Sequence, residues 1–126
     1  EIACELILAG AFGGLRADHA FLHLALAVRL AQSGVSVLLT SGAQEGVPLL
    51  NRSMHFDYAE GTMFSILGFS DLDGLTVEGA GWPLRNVKVP FGSSLTISNV
   101  VAGKLRIELA SGRALLVAHP FPISGS

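Results

Sequence analysis

The rhythm of apolar and polar positions changes once along this chain. Residues 5–10 form a short continuous apolar run ending in glycine, which predicts a strand covered on both faces. A helix is expected next, with Asp18 able to cap its start, Ala, Leu and Phe filling its body through Ala31, and Gly34 able to take the left-handed conformation that ends it. Residues 35–40 are a second apolar, β-branched run. Strand, helix and strand in that order predict a βαβ unit with parallel strands. The helix, interrupted only by His23 and Arg29 between residues 20 and 31, is expected to be buried.

After Ser41 the pattern shortens. Runs of about four to eight residues alternate with turn signals at Glu60-Gly61, Asp73-Gly74, Gly79-Ala80-Gly81, Phe91-Gly92, Ala102-Gly103 and Ser111-Gly112. Strands are predicted over residues 47–50, 54–58, 62–69, 75–78, 84–89, 95–98, 104–109 and 114–118. This grammar predicts an antiparallel sandwich or barrel. The expected fold class is therefore α+β, a βαβ remnant of a parallel α/β domain followed by an antiparallel β-sandwich. The expected division is 1–45 and 46–126, with residues 41–46 as the boundary. No solenoid-period repeat or low-complexity tract is present.

Composition narrows the functions. With 126 residues, 50% of them hydrophobic, the chain can bury a core. A net charge of -2 supplies no basic field for nucleic acid. The most apolar stretch falls short of the roughly 20 residues that span a bilayer, so no membrane partner is expected. One cysteine, Cys4, excludes an internal disulfide, and no Cys/His set has zinc spacing. A cytoplasmic location fits. The chain opens on Glu1 without an initiator Met or a signal-peptide pattern, and is expected to be a fragment.

Four groups of residues could carry chemistry. Gly13-Gly14-Leu15-Arg16-Ala17-Asp18-His19 lies between the first strand and the helix, where backbone N–H groups and the Arg16 guanidinium could meet an anion. An ordinary turn with Asp18 as a cap is the structural alternative. His19 and His23 stand one helical turn apart but lack a third metal ligand in the sequence nearby. Asp71 and Asp73 resemble a carboxylate pair, although Asp-Gly before a strand is first of all a hairpin turn. Trp82, between Gly81 and Pro83, is expected at the opening of a strand. There it could stack on a flat or cationic heterocycle, or it could anchor the sandwich core. Thr96, Ser98 and Asn99 could line the same end, since alternate residues 96 and 98 share one face of a strand. A Ser-Asn turn is the alternative.

Residues 79–99, with Gly-Trp-Pro-Leu, Pro-Phe-Gly-Ser and Ile-Ser-Asn in order, resemble the C-terminal β-sandwich of the thiamine pyrophosphokinase family. The segment from Gly10 to His19 is similar to that family's Gly-Gly-Arg-x-Asp-His segment, with Leu15 inserted before Arg16. The likeness runs from about Glu5 to Pro120. The family's acidic segments that hold Mg²⁺ have no counterpart in this sequence and would lie upstream of Glu1.

The resemblance implies transfer of a pyrophosphoryl group from ATP to thiamine, giving thiamine diphosphate and AMP, by a homodimer. It implies Asp18 and Arg16 on the phosphate side as catalytic residues, and Trp82, Thr96, Ser98 and Asn99 as the thiamine contacts. Mg²⁺ would be the parent enzyme's cofactor, with no ligand in this chain. Alone, the chain is expected to be inactive. The competing expectation is a non-catalytic β-sandwich module for ligand binding or dimerisation. A related kinase acting on another hydroxylated heterocycle is a third.

Overall fold

The computed structural model describes residues 4–9 and 17–120. The elements are β1 (Cys4–Ala9), α1 (Ala17–Gln32), β2 (Val35–Ser41), β3 (Gln44–Leu49), β4 (Ser53–Phe56), β5 (Met63–Gly68), β6 (Leu72–Ala80), β7 (Leu84–Val89), β8 (Asn99–Ser111) and β9 (Ala114–His119). Good helix formers, Ala and Leu, fill α1. It ends where Gly34 takes φ 93 and the Ser33 and Gly34 N–H groups donate to the Leu30 and Ala31 carbonyls. β1 and β2, on either side of α1 in sequence, pair in parallel from Cys4 opposite Val35 to Ala9 opposite Thr40.

All other pairings among the described residues are antiparallel. The strands follow the order β1-β2-β3-β9-β5-β8-β6-β7, with β4 also paired to β8. The connection at residues 41–46 is a tight hairpin in which Gly42 has φ 57 and Ser41 lies opposite Gln44. β3 then pairs with β9, so hydrogen bonding passes through this point without a break. Pro48, which has no N–H to donate, falls beyond the stretch of β3 that pairs with β2.

β8 turns one sheet into two layers. Its first residues pair with Phe64 and Met63 of β5, whereas residues 106–108 pair with β4 on one side and β6 on the other. Leu49, Phe64, Ile66 and Leu116 of the first layer meet Leu75, Val77, Ile107 and Leu109 of the second in one buried cluster. α1 covers the opposite face of the first layer, where Ala27 and Val28 pack with Val37, Leu39, Leu115 and Val117. β9 therefore faces apolar material on both sides, and all five residues from Ala114 to Ala118 are buried. A close backbone approach marks the β6–β8 pair. Gly79, at φ 77, sits where any Cβ would run into the Lys104 carbonyl.

The sequence-based expectations differ from the structure for several strands and for the helix. Asp73-Gly74 is no hairpin turn but a bulge inside β6, with Gly74 at φ 66. Ala102-Gly103 lies within the unbroken β8, and residues 95–98 form a turn before it rather than a strand. The 79–81 turn signal is displaced, because Gly79 and Ala80 belong to β6 and the hairpin tip is Gly81-Trp82-Pro83. α1 is buried on one face only, since Phe21 and Leu22 remain 63% and 62% exposed.

A side-chain clip ties β3 to the segment after β4. The Tyr58 hydroxyl donates to Glu45 Oε2 at 2.8 Å, and the Tyr58 ring stacks on Phe56 with centroids 6.0 Å apart. Burial first, then the hydrogen bond to Glu45 and its negative charge, pushes the Tyr58 phenol above its ordinary value.

Two predictions follow from this packing. Leu115 and Leu116 are adjacent in sequence and both fully buried, on opposite faces. Leu115→Ala and Leu116→Ala should each cost about 2–5 kcal/mol in urea unfolding. A half-covered strand would show the loss at only one of them. Because the Tyr58 phenol is harder to ionise folded than unfolded, its contribution is intact below pH about 10 and lost as pH rises beyond it. Stability should decline above that pH, and Tyr58→Phe should make the decline shallower.

Candidate functional site

The β6–β7 hairpin ends in three residues, Gly81, Trp82 and Pro83. Its tip is fixed by the start of β8. Gly81 N–H donates to the Val100 carbonyl at 2.8 Å. The Asn99 carboxamide then holds both backbone groups of Trp82, with Oδ1 accepting from Trp82 N–H at 3.1 Å and Nδ2 donating to the Trp82 carbonyl at 2.8 Å. Oδ1 also accepts from Val100 N–H at 2.8 Å. Asn99 is 8% exposed, so this satisfied amide removes the penalty of burying it. A side chain at 81 would press on Val100, which is why glycine precedes the tryptophan.

With its backbone held, Trp82 leaves its indole 65% exposed. An open groove of about 230 Å³ lies beside it, lined by Trp82, Leu95, Ile97, Ser98 and Asn99. The segment that forms the other wall is anchored along its length. Phe91 N–H donates to Asp71 Oδ1 at 2.7 Å, Thr96 Oγ1 donates to the Ile66 carbonyl at 2.6 Å, and Ser98 N–H donates to Ser65 Oγ at 2.9 Å. Asp71 thus serves as an acceptor for the loop backbone.

The sequence-derived residues separate into four groups. Trp82, Ser98 and Asn99 converge on the groove. Thr96 does not share their face. Residues 96 and 98 belong to a turn instead of a strand, so Thr96 is buried behind the wall, 6% exposed, while Ser98 is exposed. Asp18 lies in the first turn of α1, away from the groove's lining, where its carboxylate accepts from His19 N–H at 2.9 Å and favours the positive end of the helix dipole. Arg16 lies outside the described residues. Leu95 and Ile97 escaped the sequence reading as groove residues, because alternating Leu-Thr-Ile-Ser looks like a half-buried strand.

None of the side chains lining the groove carries an ionisable group. The arrangement offers a stacking face, apolar walls, a hydroxyl and one amide hydrogen left over on Asn99 Nδ2. It can bind and orient a flat molecule. It has no acid or base for proton transfer. Charge is concentrated elsewhere: Arg106 Nε donates to Glu78 Oε1 and Nη1 to Glu108 Oε1, both at 2.8 Å, and this holds the Glu78 carboxyl below its usual range. Among the described residues no group of three or more His, Cys, Asp or Glu could hold a metal ion. His19 with His23 gains no third ligand there. No described helix is long and apolar enough to cross a membrane.

Comparison with known proteins adds three findings. Residues 50–114 match the family model described as thiamin pyrophosphokinase, vitamin B1 binding domain. No curated protein sequence gives a match. Among solved structures, thiamine pyrophosphokinase from Bacillus subtilis superposes with a TM-score of 0.84 at 21% identity, over 94% of this chain and 56% of that one. The enzymes from Geobacillus thermodenitrificans (TM-score 0.80, 23% identity, 98% and 56% covered) and Candida albicans (0.84, 15%, 96% and 46%) share the same fold. The chain thus spans about half the length of these structures.

The groove geometry generates a test at Asn99. Asn99→Ala strips two hydrogen bonds from the hairpin tip and one from Val100 N–H in β8, and leaves Trp82 N–H without its acceptor. The expected loss in denaturant unfolding is about 1–3 kcal/mol. Fluorescence anisotropy of Trp82 should fall at the same time, because the indole's backbone is no longer held. Unchanged anisotropy would show that the clamp does not control the ring.

Proposed function

The chain belongs to the thiamin pyrophosphokinase family through its vitamin B1 binding domain, and on that premise we propose that the groove beside Trp82 is a thiamine site. The observation that carries this reading is an exposed indole whose own backbone is immobilised by Asn99. A thiazolium cation stacked on that ring would gain about 0.5–2 kcal/mol. Ser98 and the remaining Asn99 amide hydrogen would meet the aminopyrimidine edge, and Leu95 and Ile97 its apolar flank. Thr96 acts at one remove, by fixing the wall to β5.

In the parent enzyme we read the reaction as pyrophosphoryl transfer from ATP to the thiamine hydroxyl, giving thiamine diphosphate and AMP. In this reading residues 1–45 are the end of an α/β catalytic domain and residues 46–126 carry the vitamin. Asp18 and Arg16 would serve the phosphate side. Mg²⁺ and most of the ATP contacts would be held by parts of the enzyme beyond these residues. We place the enzyme in the cytoplasm, on the strength of its cysteine usage.

A second reading draws on the apolar residues beside the groove. Phe91, Leu95 and Ile97 are 65%, 54% and 44% exposed, which suits a protein interface. A homodimer that closes the groove satisfies both readings. A dimerisation module with no small ligand satisfies only the second.

Titration with thiamine, followed by the fluorescence of the single tryptophan, separates them. A saturable change is expected, and Trp82→Ala should weaken binding by calorimetry about tenfold, within the range of a lost cation–π contact. The absence of any response at millimolar thiamine would overturn the thiamine site and leave the interface module.

A further inference from the structure

We propose that Ser65 of β5 is a positioning residue for the groove, acting through the backbone of Ser98. The proposal rests on the thiamine reading above, and its test distinguishes failure of one from failure of the other.

Ser98 has φ 62, in the left-handed region that a residue with a Cβ avoids. Such a conformation persists only where its surroundings impose it. Ser65 supplies one imposing contact, since its Oγ accepts the Ser98 N–H at 2.9 Å. The reason lies in how β5 loses its partner. β5 pairs with β8 only at Met63 opposite Val100 and Phe64 opposite Asn99. Beyond that point the partner chain turns away and a regular ladder cannot continue.

Two hydroxyls extend the ladder past its end. Thr96 Oγ1 donates to the Ile66 carbonyl at 2.6 Å, while Ile66 N–H donates to the Thr96 carbonyl at 2.9 Å. Ser65 Oγ takes the next N–H group, that of Ser98. The backbone is thereby pinned at residues 96 and 98, which flank Ile97. Ile97 and Ser98 form the groove wall facing Trp82. The far end of the groove is held by Asn99 on Trp82. Ser65 itself does not line the groove, so its substitution removes no contact with a bound molecule.

Without the Ser65 hydroxyl, Ser98 N–H loses its protein acceptor and turns to water, which does not tie the left-handed turn to β5. The wall should relax, and binding should weaken although every groove side chain is still present. Ser65→Ala is expected to raise the thiamine Kd roughly three- to tenfold, the effect of one neutral hydrogen bond. Ser65→Thr keeps the hydroxyl and suits a strand, so it should bind within about twofold of the parent chain.

Amide hydrogen exchange without thiamine supplies a readout that a general loss of stability would not give. In Ser65→Ala the Ser98 amide should exchange faster by about tenfold or more, while the Leu116 amide in the core keeps its rate. Thiamine affinity equal in Ser65→Ala and the parent chain would overturn the positioning role and leave the site intact. So would exchange that accelerates at Ser98 and Leu116 alike. A parent chain that does not respond to thiamine at all overturns the thiamine reading, and the positioning role with it.

Discussion

Burial of β9 on both faces is the constraint on which the architecture depends. A strand whose five successive residues Ala114 to Ala118 are all buried cannot lie at a surface, because no face of it is left for water. One set of its side chains closes the sandwich and the alternate set supports α1. Its edges are equally committed, to β3 on one side and β5 on the other. The helix layer and the sandwich therefore share a strand, and the hairpin at Gly42 joins them within one hydrogen-bonded system. A division of labour between residues 1–45 and 46–126 is in this sense a proposal about roles. The backbone ladder itself runs through both parts.

The groove is built where that ladder fails. β8 starts against β5, leaves it after two pairs, and crosses to the second layer. Crossing strands leave backbone groups without partners, and in this chain side chains answer for them: Asn99 for the hairpin tip, Ser65 and Thr96 for the end of β5, and Asp71 for Phe91 N–H. Each is a polar residue whose bonding capacity is turned inward on the backbone. The result is a rigid frame around a surface that is itself apolar and uncharged.

Local patterns made much of this legible. The apolar runs that became β2 and β9, the mixed run between turn signals that became β7, the helix between β1 and β2, and the Glu60-Gly61 turn follow directly from spacing and glycine placement. Glycine misled where it marks a bulge. Gly74, Gly79 and Gly103 carry the same signal as a turn glycine, yet each lies inside a strand: Gly74 and Gly79 take the left-handed φ at register shifts in β6, and Gly103 lies across from Gly79. What decides between turn and bulge is the partner strand, which local sequence does not reveal. The same limit explains the helix. Its body is apolar on most sides, and only the fold shows that Leu22 stays exposed while Phe21, itself largely exposed, meets the Phe69 ring at the margin of the core.

The site divided along similar lines. A lone Trp flanked by Gly and Pro stands out on residue chemistry alone, and its place at the hairpin tip agrees with the expectation of a strand opening. Ser98 and Asn99 were singled out with it, but the carboxamide turns out to be spent mostly on Trp82's own backbone. Ser65 was invisible, since nothing near it in sequence hints that its partner is Ser98. An indole 65% exposed, with Leu95 and Ile97 uncovered beside it, contributes little to folding where it stands. Yet the structure fixes its backbone at both N–H and carbonyl, which a surface ornament would not require. A backbone fixed beneath an exposed aromatic lowers the ordering entropy that a molecule covering the ring would otherwise have to offset. The uncharged groove can hold such a molecule but not react with it. In the proposed enzyme, recognition of the vitamin and transfer of the pyrophosphoryl group are accordingly assigned to different side chains.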